Sequence, residues 1–244
     1  MKALIIAAGK GSRLQGVSES KPLTPVAGIP LIEHVIAGAA AAGVREFIVV
    51  TGHQAERVEA FLDALARRLG LVIACVRTSD WNRANGHSVV AGADSIGGDY
   101  LLLMADHLFD PAIPRRLLAE ERNPKLILAV DRDLASPLID LDDATRVETA
   151  RDGTILRIGK TLEPFNAIDT GIFRAGPALV EAIRADVAGG GDGSLSAGVQ
   201  RLADKGRATT MDVAGARWID VDDPRALAMA EAMAQPAALT DSAA

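Results

Sequence analysis

The sequence contains few aromatic residues and a single cysteine. Aromatic side chains make up 3% of the 244 residues, whereas hydrophobic residues make up 49%. A core of Ala, Val, Leu and Ile is typical of sheets covered by helices, and it argues against sandwiches and propellers. The one cysteine, Cys75, lies in an apolar run and cannot form an internal disulfide bond. We therefore expect an α/β protein in a reducing compartment.

The sequence also lacks an excess of positive charge and long hydrophobic segments. It has 26 Lys and Arg residues against 32 Asp and Glu residues, which gives a net charge of −6. This field repels polyanions, so we expect no nucleic acid partner. No apolar segment reaches the roughly 20 residues that cross a bilayer, and the apolar start Met1–Ala8 ends too early for a signal peptide. We expect a cytoplasmic protein.

The order of the sequence patterns indicates the fold. A short apolar strand at 4–7 precedes a helical pattern at 30–42, and strand and helix patterns then alternate as far as a strand at 126–130. This alternation predicts a Rossmann-like, mostly parallel mixed sheet flanked by helices. Shorter β-like segments between residues 146 and 173 predict a small antiparallel addition on one side.

The remaining patterns give the domain organisation. We expect residues 1–234 to form a single domain and residues 235–244, which are small and polar, to form a flexible tail. The glycine run Gly189–Gly193 predicts a flexible loop.

The strongest local motif is Ala8–Leu14, with the sequence AGKGSRL, directly after the first strand. Glycines in this turn allow backbone N–H groups to close around an anion, and Arg13 and Lys21 supply cations for phosphate oxygens. The alternative is a glycine-rich turn whose cations are only solvated. In the context of strand followed by loop, two cations indicate a polyphosphate.

Three other kinds of site do not fit the sequence. A dinucleotide-binding fingerprint needs a glycine at the position of Leu14 and an acid at the end of the second strand. The sequence has Thr51–Gly52 at the end of that strand, so both requirements fail. A P-loop needs Gly-Lys-Ser/Thr, which Gly9–Gly11 does not provide. A zinc site is not expected because ligand spacing is absent among the four histidines, His34, His53, His87 and His107.

Two acidic residues from distant segments predict a metal site. Asp106 follows the apolar run Tyr100–Ala105, at a position where open α/β sheets bind ligands. Asp220 ends another β-like run, which begins at Trp218. Each acid alone could be a helix cap or a turn residue. Together with the phosphate loop, the two carboxylates suit a magnesium ion that also contacts substrate phosphates. Whether Asp222 contributes is left open.

Two further groups of residues are weaker candidates. Asn85, Gly86 and Ser88 could contact a base or a ribose, or they could cap the following helix, and the sequence does not choose between these roles. Lys160 and Asp169 lie in the later β-like region and are candidates for binding a second substrate. From the residues alone they are indistinguishable from surface residues.

These motifs together resemble the sugar-phosphate nucleotidyltransferase family and, within it, the CTP:inositol-1-phosphate cytidylyltransferases. The resemblance extends from Met1 to about residue 230. The phosphate loop is common to the family, whereas the segments around Asn85, Asp106, Lys160 and Asp220 are similar to the inositol-phosphate branch. The resemblance implies a nucleotidyltransferase fold with its antiparallel addition on the acceptor side.

The resemblance also implies an activity and roles for residues. The activity is transfer of a cytidylyl group from CTP to inositol 1-phosphate, with Mg²⁺ as cofactor, to form CDP-inositol and pyrophosphate. The implied roles are neutralisation of phosphates by the catalytic residues Arg13 and Lys21, magnesium binding by Asp106 and Asp220, acceptor binding by Lys160 and Asp169, and nucleotide binding by Ala7, Ala8, Gly9, Gly11, Ser12, Asn85, Gly86 and Ser88.

Several alternatives stay open at this point. The acceptor could be another phospho-alcohol or a phosphonate, the protein could make a nucleotide sugar, or it could be a catalytically silent nucleotide-binding module. In several relatives the domain is fused to a membrane-embedded alcohol phosphotransferase. Because this sequence lacks that part, we expect the product to pass to a separate membrane-bound phosphotransferase. The sequence leaves the base preference and the oligomeric state open.

Overall fold

The computed structural model describes residues 1–14, 16, 18–121 and 124–234. The tail predicted at 235–244 lies outside these residues. The strands of the described chain are β1 (Lys2–Ala7), β2 (Pro25–Val26), β3 (Ile29–Pro30), β4 (Glu46–Thr51), β5 (Val72–Arg77), β6 (Tyr100–Met104), β7 (His107–Phe109), β8 (Leu126–Asp131), β9 (Arg146–Thr149), β10 (Ile155–Gly159), β11 (Ala167–Ala175), β12 (Ala208–Asp212) and β13 (Trp218–Asp220). The helices are α1 (Leu31–Ala41), α2 (Ala55–Leu69), α3 (Gly86–Ala93), α4 (Ala112–Ala119), α5 (Pro177–Ala188), α6 (Leu195–Ala203) and α7 (Pro224–Ala234).

Most strands belong to one mixed sheet. Within the described residues this sheet has nine strands, and β1 lies near its middle with parallel neighbours β4 and β6. Strand β5 extends the parallel part beyond β4, and β12 pairs in parallel with β8. The predicted α/β fold with a mostly parallel mixed sheet is therefore confirmed.

One part of the topology prediction is wrong. Strand β11 was assigned to the antiparallel addition at the side, but it lies inside the sheet, antiparallel to β6 on one edge and to β8 on the other. Seven of its nine residues are buried, as expected for a strand with partners on both edges. Asp169 and Thr170 interrupt its apolar pattern, which conceals the central position. The hairpin of β9 and β10 forms the predicted antiparallel addition at the edge.

Helices cover both faces of the sheet. Along β1, Ala3 and Ile5 belong to one core cluster and Leu4 to the other, because successive side chains of a strand point to opposite faces. Helices α1, α2 and α4 bury their apolar side chains in the first cluster, and α3, α5 and α6 bury theirs in the second. Cys75 is only partly buried and packs against the first cluster. No described helix is long and apolar enough to span a bilayer.

A second, two-stranded sheet was not predicted. Strands β7 and β13 pair antiparallel, with Asp220 opposite His107. A third core cluster lies beneath this small sheet and joins it to α7 and to the loop after β1, through residues that include Leu14, Leu108, Ile219 and Ala230. This pairing brings two segments more than 100 positions apart to the same end of the main sheet.

Candidate functional site

The candidate site is a cavity of about 340 Å³ at the carboxyl ends of β1 and β6. This end of a parallel sheet is where open α/β folds bind their ligands. A neighbouring cavity of about 330 Å³ lies under the glycine-rich loop. We call them the main cavity and the loop cavity. Ile6, Gly9, Arg13, Asp106 and Asp222 line both, so these residues form the boundary between them.

The glycine-rich loop wraps around the side chain of Lys21. Gly11 has φ +60°, and a Cβ atom at this position would overlap the side chain of Lys21. Glycine is therefore required both for the backbone conformation and for the close approach. The loop continues into a short 3₁₀ helix, Ser12–Leu14, and Leu14 is fully buried in the third core cluster. Burial of Leu14 fixes the preceding Arg13 at the cavity boundary.

The two predicted phosphate-binding cations contact carboxylates. Nζ of Lys21 lies 2.5 Å from Oδ2 of Asp106, and it also forms an ion pair with Asp222. Arg13 pairs with Asp222 through one nitrogen, and its Nη1 atom lies 2.8 Å from Oδ2 of Asp143. Asp222, which the sequence left undecided, therefore connects both cations. A bound polyphosphate would compete with these carboxylates for Arg13 and Lys21.

Asp106, His107 and Asp220 form a compact group of titratable side chains. Their ligand atoms all lie within 4.8 Å of one another, and Nδ1 of His107 is 2.8 Å from Oδ1 of Asp106. Burial opposes a charge on His107, but the carboxylates of Asp220 and Asp106 outweigh it and raise the pKa of His107 to about 9. Sequence reasoning missed His107 because it lacks a ligand-spaced partner along the chain.

The two aspartates of this group differ in their hydrogen bonding. Burial acts to raise the pKa of Asp106, yet Lys21 and His107 hold it far below its usual value. Burial raises the pKa of Asp220, and its Oδ1 atom is buried with no hydrogen-bond partner among the described residues. Nδ1 of His107 lies 3.6 Å from this oxygen, and Nζ of Lys21 lies 4.0 Å from it. A buried carboxylate oxygen without a hydrogen bond, beside a second carboxylate, is a donor set that suits a small divalent cation with a preference for oxygen.

The three candidates for contact with the nucleoside, Asn85, Gly86 and Ser88, do not all reach the main cavity. Asn85 and Ser88 line the main cavity, whereas Gly86 does not. A Cβ atom at Gly86 would overlap the carbonyl oxygen of Gly193, so this glycine serves close packing. Asn85 makes no capping hydrogen bond to α3 within the described chain; instead its Oδ1 accepts the backbone N–H of Leu195 at 2.9 Å.

The acceptor candidates Lys160 and Asp169 both line the main cavity. Nζ of Lys160 is 2.5 Å from Oδ1 of Asp143. Oδ1 of Asp169 accepts the backbone N–H of Gly171 at 2.7 Å, and burial raises the pKa of Asp169 to about 6. Sequence reasoning missed Asp143, Trp81 and other cavity residues, because they lie in loops without a recognisable motif.

All but one of the predicted site residues line a cavity. The residues on the main cavity are Ala8, Gly9, Arg13, Asn85, Ser88, Asp106, Lys160, Asp169 and Asp220, and those on the loop cavity include Ala7, Gly11, Ser12 and Lys21. Gly86 is the exception. The grouping of the candidates follows from the coordinates, while the role of each residue stays a prediction.

The fold and the site define a class of protein. A glycine loop with two cations at the carboxyl end of a parallel strand, next to a pair of carboxylates, is typical of α/β proteins that bind nucleotides. In a comparison with protein families, residues 3–157 match the MobA-like NTP transferase domain. This match covers more than half of the chain, so the chain belongs to this family.

Individual relatives extend the comparison. A protein from Rubrobacter xylanophilus named bifunctional IPC transferase and DIPP synthase is 34% identical over 95% of this chain and 51% of its own length. A Streptomyces rubellomurinus protein named CMP-5′-(3-aminopropyl)phosphonate synthase is 38% identical over 49% of this chain and 19% of its own length. The chain thus spans about half the length of the first relative.

A solved structure shares the fold. The inositol-1-phosphate CTP transferase from T. maritima superimposes with a TM-score of 0.85, and the match covers 95% of this chain and 94% of that one. The two sequences are 24% identical. At this identity the likeness establishes the nucleotidyltransferase fold that the sequence predicted.

Proposed function

We propose that this chain transfers a cytidylyl group from CTP to inositol 1-phosphate and releases pyrophosphate. The observation that carries the proposal is the convergence of three elements on one cavity. The glycine loop contributes Arg13 as a cation for a triphosphate, and Asp106 and Asp220 contribute paired carboxylates. Lys160 lines the same cavity and shares the Asp143 carboxylate with Arg13. A donor polyphosphate and an acceptor phosphate can therefore meet in the same space.

The names of the relatives support the choice of substrates. The first relative is named an IPC transferase, and the solved structure with the same fold is named an inositol-1-phosphate CTP transferase. The first relative is also named as bifunctional, and this chain matches 51% of its length. We propose that a membrane-bound alcohol phosphotransferase consumes the CDP-inositol.

We propose that Asp106 and Asp220 hold Mg²⁺. The buried Oδ1 of Asp220, which makes no hydrogen bond within the described residues, and the adjacent carboxylate of Asp106 support this assignment. When bound, the ion would neutralise phosphate charge and orient the triphosphate. His107 packs on Trp218 and hydrogen-bonds Asp106, so it orients the Asp106 carboxylate.

The side chains suit an in-line displacement between two anions. A phosphate oxygen of the acceptor forms a bond to the α-phosphorus of CTP, and the bond from that phosphorus to the bridging oxygen of pyrophosphate breaks. Arg13 and Lys21 reduce the repulsion between the reactants, and Lys160 positions the acceptor. The acceptor is an anion already, because the second pKa of a phosphate monoester is about 6, so no general base is needed.

A substrate screen tests this proposal. Pyrophosphate release would be measured with four nucleoside triphosphates against inositol 1-phosphate, phosphocholine, glycerol phosphate, glucose 1-phosphate and 3-aminopropylphosphonate. We expect the fastest turnover with CTP and inositol 1-phosphate, loss of turnover in EDTA, and loss in Asp106→Asn. The matched control is Asp94→Asn, because Asp94 is exposed and pairs with Arg184 on the surface.

Other outcomes of the screen would replace the proposal. Fastest turnover with 3-aminopropylphosphonate would assign the activity for which the Streptomyces relative is named. Fastest turnover with glucose 1-phosphate would make the chain a nucleotide-sugar pyrophosphorylase. Nucleotide binding with no turnover on any acceptor would leave a silent nucleotide-binding module.

A further inference from the structure

We propose that Asn85 is a positioning residue that acts through the backbone of Leu195. This contact sets the part of the main cavity lined by Ser88 and Ser196, which we call the nucleoside wall. The inference rests on the proposed function, because it concerns the subsite for the nucleoside of CTP. Its basis is a contact between two segments 110 positions apart.

The first observation is where the Asn85 side chain points. Its Oδ1 accepts the N–H of Leu195 at 2.9 Å, and Asn85 and Leu195 both line the main cavity. The N–H of the first residue of a helix has no partner inside that helix. Asn85 therefore satisfies the first N–H of α6 and joins the start of α3 to the start of α6.

The second observation is that the two segments interlock through glycines. The carbonyl oxygen of Gly193 occupies the space of a Cβ atom at Gly86. Gly193 itself has φ +71°, and a Cβ there would lie 2.7 Å from Nε2 of His87. That Nε2 atom is 3.2 Å from the carbonyl oxygen of Asp192, so His87 donates to it. A side chain at Gly86 would meet backbone, and one at Gly193 would need a backbone conformation that favours glycine.

The third observation is that the loop before α6 is itself fixed. Composition alone predicts a flexible loop at Gly189–Gly193, but Oδ2 of Asp186 accepts the N–H of Gly193 at 3.1 Å. The other carboxylate oxygen accepts Nε of Arg201 at 3.0 Å, and the backbone carbonyl of Asp186 accepts the N–H of Gly191 at 2.9 Å. The loop is thereby attached to α5 and α6, and it can serve as a fixed support for Asn85.

These contacts predict how the nucleoside wall is built. Ser88 follows Asn85 in α3, Ser196 follows Leu195 in α6, and both serines line the main cavity. Loosening the contact lets the two helix starts move apart and misplaces both hydroxyls. We therefore expect the contact to affect binding of the nucleotide and to have little effect on the acceptor.

Leu195→Pro removes the N–H without changing Asn85. Proline is favoured at the first position of a helix, and Ser194 before it has ψ 156°, which suits a residue preceding proline. Leu195→Ala is the matched control, because it removes the buried side chain and keeps the N–H. If Asn85 contacted the base directly, Leu195→Pro would behave like Leu195→Ala.

The experiment measures CTP affinity by calorimetry and the KM of each substrate. We expect Asn85→Ala and Leu195→Pro each to weaken CTP binding about tenfold, as for one lost hydrogen bond, with the KM for inositol 1-phosphate changed less than about twofold. The double variant should bind CTP no more weakly than either single variant. Additive losses, or a Leu195→Pro variant equal to Leu195→Ala, would overturn the inference.

A ligand-free measurement separates this inference from the proposed function. Hydrogen exchange of the Leu195 amide should accelerate at least tenfold in Asn85→Ala and return to the wild-type rate in Asn85→Asp, which keeps an acceptor oxygen. An unchanged rate in Asn85→Ala would overturn the inference whatever the substrate is. If the wild type binds another nucleoside triphosphate and not CTP, the proposed function fails, and the same variants are compared with that nucleotide.

Discussion

Nζ of Lys160 lies 2.5 Å from Oδ1 of Asp143, and the second oxygen of this carboxylate lies 2.8 Å from Arg13. Lys160 follows β10 and Arg13 follows β1. One carboxylate therefore connects the cation predicted to bind the acceptor substrate with a cation predicted to bind the triphosphate of the donor. Burial acts to raise the pKa of Asp143, but hydrogen bonds from Lys160 and Arg13 lower it overall. The side chain is therefore ionised at neutral pH and holds both cations at the cavity wall.

The first prediction concerns this shared carboxylate. Asp143→Asn should lower kcat/KM for the acceptor about tenfold, because Lys160 and Arg13 lose the charge that positions them. Steady-state kinetics with inositol 1-phosphate at saturating CTP measures the effect. Asp142→Asn is the control, since the neighbouring residue is exposed. Equal kinetics in the two variants would show that Asp143 does not position the cations.

The second prediction concerns the acidic pair. Asp220→Asn should lower turnover by about 10²-fold or more and raise the Mg²⁺ concentration needed for half-maximal rate, because it removes one charge from the proposed ion site. A Mg²⁺ titration of the initial rate measures both effects, and circular dichroism checks the fold. The surface variant Asp94→Asn should match the wild type. A folded Asp220→Asn enzyme with a normal Mg²⁺ titration would remove Asp220 from the metal site.

The third prediction concerns the cation at the boundary between the cavities. Arg13→Ala should lower turnover by about 10²-fold, and Arg13→Lys should recover little of it, because lysine lacks the planar fork that binds two oxygens. The fold should persist, since the Arg13 side chain is 53% exposed. Arg57→Ala is the matched control, because Arg57 is an exposed arginine that pairs with Glu19. Recovery of full turnover by Arg13→Lys would reduce the role of Arg13 to a point charge.

The sequence was sufficient for the parts of the molecule that depend on local patterns. Apolar runs and helical spacing identified the parallel strands and the flanking helices, because burial on two faces leaves a continuous hydrophobic signal. Gly11, Arg13 and Lys21 were also identifiable, since a glycine-rich turn with cations after a strand has few other uses. Each of these features depends on residues that are close together in the sequence.

The sequence was insufficient where distant segments meet. The pairing of β7 with β13 sets Asp220 beside His107, but β7 is only three residues long and carries no pattern. The central position of β11 was hidden by its polar residues, and Asp143 lies in a loop with several acids. The hydrogen bond between Asn85 and Leu195 could not be predicted either. Its donor is a backbone N–H, which any residue at position 195 except proline would supply.

The last prediction concerns stability and pH through Asp169. Burial raises its pKa from 3.8 to about 6 in the folded protein, with the Gly171 N–H acting in the opposite direction. Between these two values the unfolded chain has lost the proton and the folded chain still holds it. The contribution of Asp169 to the free energy of unfolding therefore decreases as pH rises from about 4 to 6, by up to about 3 kcal/mol, and is constant above.

Asp169→Asn should abolish this decrease, because the amide is neutral and can still accept the Gly171 N–H. The stability of the variant minus that of the wild type should thus be small at pH 4 and rise to a plateau above pH 6.5. Urea unfolding at pH 4, 5, 6.5 and 8, in EDTA to exclude metal ions, measures the difference. Asp94→Asn should show no such rise. A constant difference for Asp169→Asn across this range would mean that Asp169 is already ionised in the folded protein at pH 4.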